Sequence, residues 1–436
     1  MPRINIYEVD ETSGGSQNIS TDVVYIPGFV ADPTLAQNAP VLCRTLTEFE
    51  TLFGNVPFRF SADVTEDFGD NEDVVVAKKD DCDKSYLMAR ELLNRGFMVM
   101  YDTIQDGAAS LAYFYANIAN RIDELKDKGE YTIKFITTGG YPAFEYDSNS
   151  IVDKMLEVCV TRGDAVAVID HCNLPDRALT GTGSAYEAVC DYIEGMQQDT
   201  SKAKYPEFGA VFTPWATYAL NVPDDWYPTD ESTGKSINEF ALPASFAYFN
   251  SMAESNKTNP DWLAIAGVTR GLVPQIKRLL TTERLSNTIA NSYQPKGDEG
   301  GDVAVAINAI TNIRPYGLTI WGNRTLKNNA LKNGLTATSF LNTRNMVSDV
   351  KKVCYTTAKA LMFEQNSNIL WLSFKAGIIP LLDQLKSGNG ISGYKILQKP
   401  TTEKAKLAAI IKLYPVYAVE EFDITIVLSD EDVTVA

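Results

Sequence analysis

The sequence predicts a mixed α/β chain of several domains, and three observations carry that expectation. From Tyr86 onward, helix-patterned segments alternate with continuous apolar strands such as AVAVID, Ala165 to Asp170, the pattern of a sheet covered by helices on both faces. The 436 residues leave room for roughly three domains of about 150 residues each. Both ends of the chain carry strand-like segments set off from this body.

The elements are expected in the following order. Ile4 to Val9 is β-prone and leads into ETSGGSQNIS, a polar, glycine-rich stretch suited to a flexible arm. A compact section opens with VVYIPGFV, Val23 to Val30, and continues through TLTEFETLFG, Thr45 to Gly54. Ser61 to Asp83 contains DVTEDFGDNED and is expected as an exposed acidic loop or small insertion. The helix YLMARELLNRG ends at Gly96 and feeds the strand FMVMYDT, and a second helix, Ala108 to Lys126, feeds YTIKFITTGG. A third helix, Ser150 to Arg162, leads to AVAVID. A helix over Ser184 to Met196 then precedes the strand GAVFTPWATYAL, the turn DESTGKS and the segment ALPASFAYFNSMA. The last third reads as the strand YGLTIWGNRTL (Tyr316 to Leu326), a long helix, the strand NILWLSFK, and a C-terminal sheet holding GYKILQK and AAIIKLYPVYAVEEFDITIVL.

At the end of that sheet, Phe422, Ile424, Ile426 and Leu428 alternate with Asp423, Thr425 and Val427, the period of two that sends alternate side chains to opposite faces. No partner lies near this strand in sequence. Either it closes a sheet of its own domain or it is donated to another subunit.

Charge is unevenly spread. Residues 1–250 hold 40 acidic and 18 basic side chains, whereas residues 301–400 hold 4 acidic and 12 basic. One region is therefore acidic and another suited to an acidic partner. A sequence pI near 4.6 and the lack of an aromatic-interleaved basic motif argue against nucleic acid. No run of about 18 apolar residues occurs, so no membrane insertion is expected. The start MPRINIYEVDETSGG lacks the apolar core of a secretory signal, which predicts folding in a cytoplasm. Cys43, Cys82, Cys159, Cys172, Cys190 and Cys354 form no CxxC pair and read as reduced, mostly buried residues.

The search for chemistry finds no catalytic constellation. His171 is the sole histidine and follows AVAVID directly, at a strand end where α/β enzymes place functional groups. Its sequence neighbours Asp170 and Cys172 point away from it on a strand, so they do not orient it as a triad would. GKS at Gly234 to Ser236 lacks the upstream glycine of a P-loop, since Thr229 stands there, and GTGS at Gly181 to Ser184 reads as a helix cap. No metal-binding spacing is present, and neither cofactor nor metal is expected. The long helix over Asn342 to Phe363 is more informative. At 100° per residue Met346, Val350, Val353, Cys354 and Leu361 share one arc, and Arg344, Lys351, Lys352 and Lys359 share the opposite one. Four cations with no acid among them suggest a face built to meet an anionic surface.

These segments together resemble the contractile tail sheath proteins of bacteriophages and related injection machines. YIPGFV with NAPVLCRTLTEFETLFG is similar to the opening of that family, and YLMARELLNRGFMVMYDT and MLEVCVTRGDAVAVID to its helix–glycine–strand units. YPEFGAVFTPWATY and ALPASFAYFNSMA resemble its Pro-Trp strand and its Pro-x-Ser helix start, although the family more often has two prolines and glycines at the latter. IRPYGLTIWGNRTL, Ile313 to Leu326, is the strongest match, and FEQNSNILWLSF, GYKI and the closing strand complete the order.

The resemblance implies a tail-sheath-like fold with an arm over 1–20, an N-terminal domain with acidic insertion over 21–100, a subtilisin-like middle domain without protease machinery over 101–310, a C-terminal α/β domain over 311–418 and a strand arm over 419–436. It implies a non-enzymatic structural subunit that polymerises around an inner tube and contracts to drive it through a cell envelope. Its partners would be itself, the tube protein, and baseplate and terminator proteins, in a virion tail assembled in a bacterial cytoplasm. Arms bearing Ile4, Ile6, Phe422, Ile424, Ile426 and Leu428 would add strands to neighbouring subunits. By the same analogy Arg344, Lys351, Lys352 and Lys359 would face an acidic tube. The readings that compete with it are an acidic α/β enzyme using His171 and a non-contractile filament subunit.

Overall fold

A computed structural model describes residues 23–67, 73–105, 110–143, 150–170, 192, 195–196, 199–229, 236–280, 307–327 and 336–419. Its strands are β1 (Val23–Gly28), β2 (Val41–Cys43), β3 (Val64–Asp67), β4 (Asp73–Ala77), β5 (Met98–Thr103), β6 (Phe135–Ile136), β7 (Val166–Asp170) and β8 (Gly209–Thr213). There follow β9 (Ala216–Tyr218), β10 (Phe240–Leu242), β11 (Ile276–Leu279), β12 (Ile307–Ile313), β13 (Gly317–Trp321), β14 (Ile391–Lys399) and β15 (Ala408–Pro415). The helices are α1 (Leu46–Phe53), α2 (Lys84–Asn94), α3 (Leu111–Glu124), α4 (Ser150–Arg162), α5 (Ala244–Asn256), α6 (Gly267–Arg270), α7 (Leu341–Ala360) and α8 (Asn368–Ser387).

Eight strands form the main sheet in the order β13-β12-β8-β7-β6-β1-β5-β2. Its six inner strands run parallel, and β13 and β2 close the two edges antiparallel. Strands covered on both faces need apolar side chains at every position, and β1 reads VVYIPG with all six residues buried. Val23 and Tyr25 point into a core closed by α3 and α4, while Val24 and Ile26 point into a second core closed by α1, α2 and α5. Strands from segments 21–100, 101–310 and 311–418 thus share one sheet. A third, smaller core lies between α7, α8 and the β14–β15 hairpin, with Trp262 reaching into it from the body.

Where the sequence alternates helix and strand, expectation and structure agree closely. α4 spans the expected Ser150 to Arg162, and α3 lies within Ala108 to Lys126. Two readings are corrected. NILWLSFK is the start of helix α8 and not a strand: Ser367 caps it by accepting from the Leu370 N–H, and Ile378, Leu381, Leu382 and Leu385 repeat at helical spacing into the third core. The stretch Ser61 to Asp83, expected as an exposed acidic loop or small insertion, contains the β3–β4 hairpin of an insertion, but its end is not exposed: Val76, Ala77, Cys82 and Asp83 are buried. Cys43, Cys82, Cys159 and Cys354 are buried and unbridged, whereas Cys172 and Cys190 lie outside the described residues. Among the described residues no helix is long and apolar enough to cross a membrane.

Candidate assembly interface

Parallel sheets place ligand sites beyond the carboxyl ends of their strands, so that crevice comes first. Among the described residues it holds structural hydrogen bonds. The buried Asp83 carboxylate accepts from the N–H groups of Phe29, Ser85 and Tyr86 at 3.0, 3.1 and 3.2 Å, and from the hydroxyls of Tyr101 and Tyr141 at 3.1 and 2.5 Å. One side chain therefore caps α2 and ties together the ends of β1 and β5 and the loop after β6. Burial raises the Asp83 carboxyl above its ordinary range, against the pull of these donors. Gly139 stands so close to Pro27 O and the Ser85 hydroxyl that a Cβ there would collide with both, and its φ of +69° favours glycine as well. At the next strand end Asp170 accepts from Ser245 N at 3.1 Å and Ser245 Oγ at 2.6 Å, capping α5, whose own N-cap residue is Pro243. Burial pushes its carboxyl up to about 7. Asp102 receives the Tyr25 hydroxyl at 2.7 Å and the Arg121 guanidinium. His171 itself lies outside the described residues.

The cationic arc of α7 requires a correction. Arg344 and Lys351 do not face solvent. Arg344 is 0% exposed, with its guanidinium 4.3 Å from the Phe208 ring centre and 3.9 Å from Glu207. Lys351 is buried too, with its ammonium 5.6 Å from the same ring and its stem laid over Gly163. Lys352 is half-buried, and only Lys359, in the last turn, is exposed. α7 is packed on two sides: Met346, Val350, Val353 and Cys354 meet α8 as the sequence implies, and the opposite arc meets an aromatic and acidic patch of the body. The anionic surface these two cations fit is inside their own chain.

What the C-terminal unit does expose is apolar. Of the fourteen large apolar side chains exposed among the described residues, nine fall between Phe363 and Val419, including Phe363 at 88%, Ile369 at 74% and Leu372 at 57%. Apolar exposure is thus concentrated in this part of the chain and sparse in the rest of the described residues. The β14–β15 hairpin is a two-stranded sheet, so each strand has one edge without a partner strand among the described residues. One of its faces, with Tyr394, Ile396, Ile411 and Leu413, packs on the third core. The other carries the cross-strand pairs Lys395–Lys412 and Leu397–Ile410. The expected arm residues Ile4, Ile6, Phe422, Ile424, Ile426 and Leu428 lie outside the described residues.

Solved structures match this arrangement end to end. The sheath complex of an extracellular contractile injection system, PVC, in its contracted state aligns with a TM-score of 0.58 at 17% identity, over 99% of this chain and 98% of that one. The chain has the fold of a contractile-sheath subunit. The helical sheath of the anti-feeding prophage in its contracted state aligns at 0.55 and 16% identity, over 98% and 99% of the two chains, and the contracted baseplate structure of the same particle at 0.59 and 16%. No protein-family model and no curated protein matches the sequence.

Within the sheath fold, sequence reasoning missed Asp83, the buried Lys134, whose ammonium lies 3.0 Å from the Asp349 carboxylate on α7, and the Lys395–Lys412 pair. Asp83 had a readable signal, an aspartate directly before the helical run KSYLMARELLN. The lysine pair is visible only once the hairpin register is known.

Proposed function

We propose that the chain is the structural subunit of a contractile sheath, polymerising around an inner tube and contracting to drive that tube through a cell envelope. The observation that carries this reading is the match to sheath proteins over 98–99% of both chains, joined to a C-terminal unit that presents apolar side chains and two strand edges without a partner strand among the described residues. Isolated hairpins are marginal on their own, and partner strands along both edges would complete the sheet. The strand-patterned arms at 1–20 and 419–436 are the segments that would come from neighbouring copies. Main-chain pairing holds while bodies rotate if a polar segment such as TSGGSQ absorbs the angle.

Work would come from re-docking and not from bond chemistry. An extended array is kinetically trapped, and a baseplate signal releases it to a shorter, wider array of lower free energy. A few kcal/mol per subunit over many rings is sufficient. Tube, baseplate and terminator proteins are the partners this requires, and the particle tail is its location. Tube contact falls to the exposed rim around Lys359, Phe363 and Ile369, since Arg344 and Lys351 are sequestered.

Negative-stain electron microscopy tests the reading, using the full chain and a chain ending at Val419, each with and without tube protein. Tubules from the full chain that vanish on truncation support it, and tubules of a single fixed length and diameter under all conditions favour the filament reading. Monodisperse protein in every sample, tube included, overturns it.

A further inference from the structure

We infer that the Phe363 ring of one copy seats in the cavity beside Trp262 of the next, a head-to-tail contact between C-terminal units. This rests on the reading that copies polymerise and goes beyond it by naming a knob and the socket that takes it. The tube contact proposed above falls to the rim around that knob.

Phe363 is the most exposed large apolar side chain among the described residues. Its backbone is costly as well. Its φ is +71°, and the other described non-glycine residues at positive φ are Asp80, Asn238 and Asn389. Those types tolerate the left-handed region because their short polar side chains hydrogen-bond locally, which phenylalanine cannot do. Glycine would hold this turn after α7 at lower cost. A ring that neither packs within the subunit nor suits its own backbone points to a use outside the subunit.

The socket is a cavity of about 100 Å³ at the other end of the same unit. Trp262, Leu263, Ala264, Met346, Val416 and Tyr417 supply its apolar wall. Trp262 is held there by its indole N–H, which donates to Gly388 O at 3.1 Å, and by Gly388 and Gly390, where a Cβ would collide with the indole. Arg270 closes one side, fixed by its Nε–H donating to Ala264 O at 2.8 Å. A guanidinium beside an apolar cavity favours an aromatic occupant over an aliphatic one. An enclosed cavity of about 150 Å³ admits benzene. This smaller one opens to the surface, so a phenyl ring would enter in part and cover the exposed Val416 and Tyr417 with the remainder.

Knob and socket cannot meet within one copy. Met346 lies near the start of α7 and Phe363 just past its end, which separates them by more than about 20 Å along the helix. The contact is therefore between copies, and it is not symmetric. A copy that fills its neighbour's socket keeps its own socket open for a third, so the contact repeats, as rings and helical arrays require.

The test places a small diazirine amino acid at position 363 of the full chain and irradiates the assembly formed on tube protein. Heavy-nitrogen-labelled and unlabelled copies are mixed, so that mass spectrometry separates contacts between copies from contacts within one. The expected result is cross-links that join labelled to unlabelled chains at Trp262, Ala264, Met346 or Ala418. In parallel, Phe363→Gly should keep or raise the melting temperature, because glycine suits the left-handed backbone, while raising the concentration needed for assembly by about tenfold or more. Cross-links only to tube, to residues 420–436 or to the same copy overturn the inference and leave the sheath reading standing. Assembly of Phe363→Gly at the parent's concentration does the same. Absence of any assembly by the parent chain, tube included, overturns both.

Discussion

Lys134 and Asp349 meet at 3.0 Å between the sheet body and helix α7, with the lysine side chain 1% exposed and Asp261 also 3.6 Å from its ammonium. Lys134 is fixed by its backbone, which donates to Val23 O at 2.8 Å and accepts from Val166 N at 2.9 Å, so its side chain leaves a rigid position in the sheet. The result is a buried ionic pin between the body and the C-terminal unit. Removing one member of such a group strands the opposite charges away from water, typically at a cost of about 3–5 kcal/mol. We expect Lys134→Met to destabilise the chain by that order in urea unfolding. Adding Asp349→Leu should recover part of the loss. A single-substitution effect under about 1 kcal/mol would mean that solvent reaches the pair.

Asp83 sits at the meeting point of β1, α2, β5 and the loop after β6, accepting from five donors. Asp83→Ala leaves three N–H groups and the Tyr141 hydroxyl without their acceptor in a closed space, while the Tyr101 hydroxyl keeps Phe29 O at 2.9 Å, and we expect insoluble or unfolded protein. Tyr141→Phe removes one of the five bonds and should cost about 1–2 kcal/mol, read from the chemical denaturation midpoint.

How much of this was legible in the sequence depended on whether a local pattern or a distant partner decided each feature. The helices from Lys84 to Arg162 and the strands between them follow from periodicity and caps, which are local, and they appear where expected. NILWLSFK was misread because an apolar run of eight is ambiguous between helix and strand, and the discriminating leucines come a turn or more later, at Leu381, Leu382 and Leu385. The arc holding Arg344 and Lys351 was drawn correctly on the helix, but its environment was not. A cationic arc reads as solvent-facing or partner-facing until Phe208 and Glu207, more than 130 residues away, are known to cover it. The tails carry a strand pattern in the sequence but lie outside the described residues, and an edge for them to meet is visible only with the hairpin, whose outer edges have no partner strand among the described residues.

Asp170 predicts a pH dependence with a definite sign. Its carboxyl is ordinarily half-ionised near 3.8, and burial in the folded chain raises that to about 7. Between those values the folded state holds a proton that the unfolded state has released. Stability from this group is therefore full below about pH 4, falls as pH rises toward 7, and is flat above. The span corresponds to a few kcal/mol in order of magnitude. Asp170→Asn should flatten this part of the profile while Ser245 keeps an acceptor. Melting of both proteins at pH 5 and pH 8 reads it out, and equal pH slopes in the two would contradict the assignment.

Ile369 and Leu372 lie on the first turns of α8, 74% and 57% exposed, on the half of the helix that the third core leaves uncovered. A helix that buries Ile378, Leu381, Leu382 and Leu385 has no folding reason to carry isoleucine and leucine on this outer surface. Exposing them to water gains nothing for the monomer, whereas covering each in an assembly is worth on the order of 1–2 kcal/mol. Ile369→Glu with Leu372→Glu should therefore leave monomer stability within about 0.5 kcal/mol of the parent. The same pair of charges should prevent formation of sheath on added tube, seen by electron microscopy and sedimentation. Intact assembly by the double variant would mean that this surface stays open in the particle. A large drop in monomer stability would mean that it is covered within the subunit itself.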